Sequence, residues 1–214
     1  MLITFEGGEG AGKTTLINRI EEELLRHGLE LVKTREPGGT KLSDHIRSWL
    51  LDRDFEIQVG SQAELLLFLA ARVQHLEELI IPALKAKKVV LCDRFNDSSV
   101  VYQGLARGLG IEKIKNLCSL VCNGLEPDLT FFLDVDPAVG LERTKRTRKE
   151  NAKTGEVDRI ESEGLDFHRL VQKGFQDLAL KDNKRIHTLD ANKSEDEVFA
   201  QAMITLKDYL NTKT

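Results

Sequence analysis

Short apolar runs alternate along the chain with longer stretches in which apolar residues recur every three or four positions. The first pattern is typical of buried parallel strands, and the second of helices that cover a sheet. The candidate strands are Leu2–Glu6, Leu29–Thr34, Lys88–Asp93, Asp128–Asp134 and Arg185–Asp190. This alternation predicts βαβ units and an α/β fold built around a parallel sheet.

Local signals predict where three of the helices begin or end. One helix is predicted from Lys13 to His27, with Gly28 as its C-terminal stop. A second is predicted to open with a capping box at Ser61–Glu64. A third is predicted to have Asp136 as its N-cap and Pro137 as its first residue.

One segment departs from this pattern. Residues 143–159, RTKRTRKENAKTGEVDR, are polar, basic and poor in apolar anchors, which favours a mobile lid on a single domain of residues 1–214. A basic run is also typical of a solvated helix face. The seven basic residues are Arg143, Lys145, Arg146, Arg148, Lys149, Lys153 and Arg159.

Composition and charge argue against several classes of protein to which this chain could belong. The 214 residues carry a net charge of −4, which argues against a nucleic-acid-binding protein but allows a small phosphorylated ligand. No apolar run is long enough for a membrane span, and MLITFEGG does not start a signal peptide. Cys92, Cys118 and Cys122 form no metal-binding set, so we expect reduced thiols in a cytoplasmic protein.

The strongest chemical signal is a glycine-rich loop between the first strand and the first helix. Its sequence fits G-x-x-x-x-G-K-[ST], and the strand-loop-helix context favours a phosphate-binding loop over a flexible turn. Backbone amides and the helix N-terminus would hold phosphate oxygens, Lys13 would neutralise them and Thr14 would contact Mg²⁺. The loop comprises Gly7, Gly8, Glu9, Gly10, Ala11, Gly12, Lys13 and Thr14.

Asp93 is a second metal candidate, because it ends the apolar run VVLCD. In this class of fold a strand-end carboxylate beside the loop helps to hold the metal. The alternative is an aspartate that caps a turn.

The remaining motifs separate the classes of nucleotide-binding protein. No glycine has an aspartate three residues before it, and Asn192–Glu195 does not match NKxD, which argues against a GTPase. The chain is also short for a mechanical ATPase. A phosphotransferase with a second substrate therefore fits best, and a non-catalytic nucleotide sensor remains as the alternative.

Three segments supply candidates for the second substrate. TREPGGT, residues 34–40, places Arg35 after a strand. LFLAARVQ puts Phe68 and Arg72 on one helix face. This spacing fits two interpretations equally well: a site that binds a planar base, or a core phenylalanine beside a surface arginine. DRFNDSSVVYQG, residues 93–104, offers Arg94, Ser98, Ser99, Tyr102 and Gln103.

These motifs together resemble the thymidylate kinase family over essentially the whole chain. The order and spacing of FEGGEGAGKTT, TREPGGT, LLLFLAARVQH, DRFNDSSVVYQG, PDLTFFLDVDP and GEVDRIE carry the resemblance. It implies a three-layer P-loop kinase fold with five parallel strands, and transfer of a phosphoryl group from ATP to dTMP with Mg²⁺. It also implies a homodimer formed through helices, for which residues 61–84 and 117–125 offer apolar faces. A P-loop kinase acting on another base or on a nucleoside is the alternative.

The resemblance implies a role for each acceptor-site candidate. Phe68 would stack on thymine, Arg72 would contact O4, and Gln103 with Ser99 would lie at the N3 edge. Tyr102 would pack under the sugar, and Glu9 would face its 3′-hydroxyl rather than solvent. The arginines implied at the dTMP phosphate are Arg35 and Arg94, with Arg47 as a further candidate.

The sequence offers several candidate sources of positive charge at the γ-phosphate. Some family members have an arginine where this chain has Gly10, whereas the bacterial type uses arginines of the lid. Arg146, Arg148 and Arg159 are the candidates. The segment Phe167–Phe175 lacks arginines that the family often has there, and Arg169 or Lys173 could compensate for them.

Overall fold

Five parallel strands form one sheet in the order β2-β3-β1-β4-β5. The computed structural model describes residues 1–52, 59–150 and 158–213. The strands are β1 (Leu2–Glu6), β2 (Leu31–Arg35), β3 (Val89–Asp93), β4 (Leu129–Asp134) and β5 (Ile186–Asp190). The prediction of a five-stranded parallel sheet is confirmed. Only β2 is shifted notably from its predicted range, so that Arg35 is the last residue of the strand and not the first residue of the loop.

Helices flank the sheet on both faces. They are α1 (Lys13–Arg26), α2 (Lys41–Leu51), α3 (Ser61–His75), α4 (Ile81–Lys85), α5 (Asn96–Ser99), α6 (Ile111–Val121), α7 (Pro137–Glu150), α8 (Leu165–Lys181) and α9 (Glu195–Lys213). Two π-helical segments, Leu76–Ile80 and Val100–Ala106, follow α3 and α5 directly. Such irregular turns change the direction of side chains and occur often at functional sites.

The two faces of β1 show how the layers are built. Ile3 and Phe5 pack into a core shared with α1 and α9, whereas Leu2 packs into a cluster on the opposite face. Thr4 and Glu6 point to the same face of the strand as Leu2, and both are fully buried. The alternation therefore brings a carboxylate, Glu6, to the carboxyl end of a central strand, where ligands bind in this class of fold.

Two of the three predicted helix boundaries are confirmed. Helix α1 ends at Arg26, and Gly28 follows with a φ of +76°, a conformation that favours glycine. Helix α7 begins at Pro137, and the Asp136 carboxylate accepts a hydrogen bond from the Ala138 amide at 2.8 Å.

The predicted capping box at Ser61–Glu64 is wrong. Gly60 is the N-cap residue of α3, and a glycine has no side chain with which to cap the helix. The Glu64 side chain turns inward and is 1% exposed, because Gln103 and Arg159 offer it hydrogen bonds inside the protein. Tertiary partners outweigh the local capping pattern at this position.

The predicted lid spans three kinds of structure. Residues 143–150 belong to α7, so its first part is helical. Residues 151–157, which include Lys153, lie outside the described residues, and Asp158 and Arg159 lead into the turn before α8. The mobility of the segment stays a prediction.

The helices were compared with the length and apolarity that a membrane span requires. Among the described residues, no helix is both long enough and apolar enough to cross a bilayer.

Candidate active site

The glycine-rich loop connects β1 to α1 and packs against the backbone of neighbouring elements. Gly7 has a φ of +144°, and a Cβ atom on it would lie 2.6 Å from the Leu133 carbonyl oxygen. Gly10 has a φ of +66°, and a Cβ atom there would overlap the Gly140 carbonyl group. Larger residues at either position would push the loop out of place, so its glycines keep the backbone amides at one concave surface.

Lys13 is held inside this loop. Its ammonium group donates to the carbonyl oxygens of Gly7 at 3.3 Å and Gly8 at 3.0 Å, and the residue is 8% exposed. Burial, together with the nearby Arg94, lowers the pKa of Lys13 below its ordinary value. A poorly hydrated cation next to loop amides is suited to bind an incoming phosphate.

Arg94 connects the loop to the segment after β3. Its guanidinium group donates to the Gly7 carbonyl oxygen at 2.9 Å, to Glu9 Oε1 at 2.7 Å and to Ser98 Oγ at 3.3 Å. Its Cζ atom also lies 5.1 Å from the centre of the Tyr102 ring. The backbone of Arg94 has a φ of +69°, which costs about 1 kcal/mol for a residue other than glycine. Strain of this kind is typical of functional sites.

Glu9 is an anion in this environment. Burial by itself would raise the pKa of the Glu9 carboxyl, but Arg94, Lys13 and His168 outweigh burial and lower the pKa below its ordinary value. Glu9 therefore does not face bulk solvent as an isolated loop carboxylate. It lines both of the cavities described below.

Asp93 and Thr14 fit a divalent cation. Asp93 Oδ1 is buried and, among the described residues, has no hydrogen-bond partner. A buried carboxylate oxygen without a partner is costly unless a cation or water satisfies it. Thr14 is exposed at the start of α1, and both residues line the same cavity. Hard oxygen ligands of this kind suit Mg²⁺.

Two cavities meet at this site. The P-loop cavity is lined by residues 9–16 together with basic side chains of β2, α2 and α7. The side pocket lies between α3 and the segment after β3. The two share Glu9, Glu36, Arg47 and Arg94, so a molecule in one would meet a molecule in the other at these four residues.

Most of the predicted acceptor residues line the side pocket. They are Glu9, Arg47, Phe68, Arg72, Arg94, Ser99, Tyr102 and Gln103. Arg35 is the exception, because it lines the P-loop cavity instead. Its guanidinium group is largely exposed and lies 3.9 Å from the Asp44 carboxylate. Arg47 donates to the Pro37 carbonyl oxygen at 2.9 Å, which holds α2 against the loop after β2.

Arg72 is a buried residue and not a surface one. It is 2% exposed, its Nε donates to Glu36 Oε2 at 2.6 Å, and its Nη2 donates to the Phe95 carbonyl oxygen at 3.0 Å. Its remaining nitrogen, Nη1, contacts Cys118 Sγ at 3.4 Å. Of the two readings that the sequence left open for Arg72, the surface residue is therefore wrong.

Glu36 is a site residue that the sequence analysis missed. Its second oxygen, Oε1, lies 3.1 Å from His75 Nδ1, and His75 Nε2 lies 2.7 Å from Thr34 Oγ1. Glu36 thus connects β2 and α3 beneath the side pocket. The only sequence signal for Glu36 was its acidic side chain inside TREPGGT, a motif whose arginine and glycines carry the more familiar phosphate-binding chemistry.

The basic residues of α7 lie around the P-loop cavity. Arg143, Arg146 and Arg148 line this cavity, and Arg143 donates to the Ala191 carbonyl oxygen at 2.9 Å. Arg148 is paired with Glu161, whose carboxylate also accepts a hydrogen bond from Thr144.

The structure places Arg159 elsewhere. Its guanidinium group donates to Glu64 Oε2 at 2.6 Å and to the Leu50 carbonyl oxygen at 3.0 Å. It is absent from the lining of the P-loop cavity. In the described structure it ties the residues before α8 to α2 and α3.

The two residues of α8 that could compensate, Arg169 and Lys173, line neither cavity. Arg169 is exposed and pairs with Asp166 at 3.2 Å, and Lys173 is exposed. Gln172 and Gln176 instead donate to the Asp134 carboxylate at 2.7 and 2.8 Å. Uncharged side chains of α8 therefore anchor the end of β4 near the loop.

Glu6 makes folding stability depend on pH. Burial, and then repulsion by Asp97, raises the pKa of the Glu6 carboxyl from its ordinary 4.5 to about 7. Between these values the folded state holds a proton that the unfolded state has lost, so stability decreases as pH rises through this window. At about 1.4 kcal/mol per pKa unit, the full effect is on the order of a few kcal/mol.

We expect Glu6→Gln to remove this dependence. Thermal unfolding followed from about pH 5 to about pH 8 should show the wild-type melting temperature falling relative to that of the variant. Parallel curves for the two proteins would show that Glu6 does not titrate in this range.

Comparison with known proteins identifies the family. A family model described as thymidylate kinase matches residues 5–202. The chain belongs to the thymidylate kinase family. A thymidylate kinase of Protochlamydia amoebophila is 52% identical over 206 residues, which cover 96% of this chain and 92% of that relative. A thymidylate kinase of Geobacillus thermodenitrificans is 44% identical over 95% of this chain and 88% of its own length.

A solved structure agrees with this assignment. The crystal structure of thymidylate kinase from Ehrlichia chaffeensis has a TM-score of 0.76 and 34% sequence identity to this chain, covering 96% of it and 98% of that chain. The family and the P-loop kinase fold predicted from the motifs are confirmed.

Proposed function

We propose that residues 1–214 act as one kinase domain in which ATP binds in the P-loop cavity and dTMP in the side pocket. As a member of the thymidylate kinase family, the chain transfers a phosphoryl group from ATP to dTMP and forms ADP and dTDP. The observation that carries the assignment of sites is that the two cavities share Glu9 and Arg94. Two phosphorylated molecules could meet head-on at these residues.

The lining of the side pocket supports the acceptor roles that the family resemblance implies. Phe68 offers a ring for stacking on thymine, and Arg72 is fixed by Glu36 and Phe95 so that its position is set before the substrate arrives. Gln103 and Ser99 would lie at the N3 edge of the base, with Tyr102 under the sugar. Glu9 would accept a hydrogen bond from the sugar 3′-hydroxyl.

The phosphate end of the acceptor would lie against arginines. Arg94 and Arg47 line both cavities, and Arg35 stands at the P-loop side of the same junction. Guanidinium groups suit phosphate because they donate two parallel hydrogen bonds. The dTMP phosphate is already an anion, so its attack on the donor needs positioning and charge neutralisation more than a general base.

The donor side would use the loop amides, Lys13 and a cation. Residues Gly7–Thr14 would hold the ATP phosphates, and Asp93 and Thr14 would hold Mg²⁺. A cation held there would neutralise part of the charge on the phosphates. Arg146 and Arg148 of α7 stand at this cavity and would add positive charge near the γ-phosphate.

A panel of nucleoside monophosphates tests the proposal. The purified protein, with ATP and Mg²⁺, would be assayed against dTMP, dUMP, UMP, CMP, AMP and GMP. We expect dTMP to have the highest kcat/KM. A clear preference for another acceptor would favour the alternative, a kinase of the same fold with a different base specificity. ATP binding without turnover of any acceptor would indicate a nucleotide sensor.

Assembly and location are further parts of the proposal. Leu66 on α3 and Leu120 on α6 are strongly exposed, and a homodimer of the kind the family forms would cover them. The three cysteines in the described chain, Cys92, Cys118 and Cys122, are free and buried, which suits a reducing cytoplasmic location.

A further inference from the structure

Glu64 lies behind the side pocket at the centre of a buried polar network. The residue is 1% exposed and projects from α3. Its Oε1 accepts a hydrogen bond from Gln103 Nε2 at 2.9 Å and lies 3.4 Å from Arg107 Nε. Its Oε2 accepts a hydrogen bond from Arg159 Nη2 at 2.6 Å. Glu64 is absent from the lining of either cavity, so it can act on a ligand only through these partners.

The contact with Gln103 fixes the orientation of an amide group. Burial by itself would raise the pKa of Glu64, but Gln103, Arg159 and Arg107 outweigh it and lower the pKa below its ordinary value. An ionised carboxylate has no hydrogen to donate, so only the NH₂ end of the Gln103 amide can face it. The carbonyl end must then face the other way. Gln103 lines the side pocket, and no donor among the described residues reaches its Oε1.

We propose that Glu64 is a positioning residue for base selection, which holds the Gln103 amide so that its carbonyl oxygen is presented to the N3 edge of the base. This inference rests on the proposed function, in which the side pocket takes dTMP. Thymine and uracil carry a hydrogen on N3, whereas cytosine has a lone pair there. An amide carbonyl fixed at that edge therefore accepts a hydrogen bond from thymine and repels cytosine.

The selection depends on the charge of Glu64 and not merely on its shape. A neutral glutamine at this position could either donate to or accept from Gln103, so both orientations of the Gln103 amide would become available. In the reversed orientation the NH₂ group would face the pocket and could donate to cytosine N3. Hydrogen bonds that select a substrate in this way are worth a factor of about ten or more in kcat/KM.

The test compares dTMP with 5-methyl-dCMP, which keeps the 5-methyl group and changes only the N3 and N4 edge. For Glu64→Gln we expect the ratio of kcat/KM values, dTMP over 5-methyl-dCMP, to fall by about tenfold. The loss for dTMP should appear mainly in KM. A general loss of packing or charge would lower both substrates alike and would leave the ratio unchanged.

Glu163→Gln is the matched control. Glu163 also pairs with Arg107, at 2.6 Å, but it makes no contact with Gln103 among the described residues. This variant removes a carboxylate from the same network and should keep the wild-type ratio. In a Gln103→Met background, Glu64→Gln should no longer change the ratio, because the amide through which it acts is gone.

The outcomes separate the inference from the function on which it rests. An unchanged ratio in a folded Glu64→Gln protein would overturn the role of Glu64 while leaving dTMP phosphorylation intact. A wild-type protein that does not prefer dTMP would overturn the proposed function itself. If Glu64→Gln fails to fold, Glu64→Asp serves instead, since it keeps an anionic acceptor but withdraws it by one methylene. A ratio between the wild-type and Gln103→Met values would support the proposal, and a wild-type ratio would contradict it.

Discussion

Replacing Arg94 with alanine should reduce kcat for dTMP phosphorylation by about 10³-fold, the loss seen when a cation at a transferring phosphoryl group is removed. Arg94 is one of the four side chains that line both cavities, and it donates at once to Gly7, Glu9 and Ser98. Its removal takes away positive charge where phosphates would meet and leaves Glu9 without its closest partner. Steady-state kinetics at saturating ATP and dTMP would measure the effect.

Two further variants make this prediction specific. Arg94→Lys keeps the charge but has one nitrogen in place of a planar fork, so it cannot span the same three acceptors, and we expect only partial recovery. Arg26→Ala removes an exposed arginine that pairs with Glu23 on α1 and should leave kcat unchanged. A wild-type kcat in Arg94→Ala would show that the junction of the cavities is not where phosphoryl transfer occurs.

Replacing Arg72 with alanine should lower both stability and dTMP binding. The substitution leaves the buried Glu36 carboxylate with His75 alone, and breaking a buried ion pair costs about 3–5 kcal/mol. In a protein of this size that corresponds to a fall of about 10 °C in the melting temperature. The KM for dTMP should rise strongly, whereas ATP binding should change little because Arg72 does not line the P-loop cavity.

A double variant separates the two effects of Arg72. Arg72→Met with Glu36→Gln removes both charges, so part of the lost stability should return. The affinity for dTMP should not return, because no guanidinium group remains at the base. Calorimetry for unfolding and titration with dTMP would measure each quantity. Equal losses for ATP and dTMP would count against the assignment of the side pocket.

The glycine loop and the strands were predictable because their signals are local. A loop of residues 7–14 between an apolar run and a helix has few alternative structures, and its glycines are required by the close approach of Leu133 and Gly140. The carboxyl ends of parallel strands lie at one edge of a sheet, so the sequence already placed Asp93 near the loop. The family motifs, read in order, then identified the class of enzyme.

Local sequence patterns gave wrong or no predictions for residues whose partners lie far away in the chain. Ser61–Glu64 matches a capping box, yet Glu64 binds Gln103, 39 positions further along the chain, and Arg159, 95 positions further along. A capping pattern cannot reveal this, because it considers only the next turn of the helix. The same limitation applied to Glu36, whose partner Arg72 is 36 residues away.

For the basic segment, too, the sequence determined one property and the tertiary structure another. The sequence determined that positive charge is concentrated in residues 143–159, but it could not rank the arginines. The structure brings Arg146 and Arg148 to the P-loop cavity through α7 and places Arg159 against Glu64 and Leu50.

The amino-acid sequence by itself determined the phosphate loop, the parallel sheet and the family, because each depends on residue types at short, regular spacings. Only the tertiary structure decided which charges are buried together. Burial removes water from a charged group, so its partner, wherever it lies in the chain, determines its ionisation and orientation. That is why Arg72, Glu36 and Glu64 could be understood only after the chain was folded.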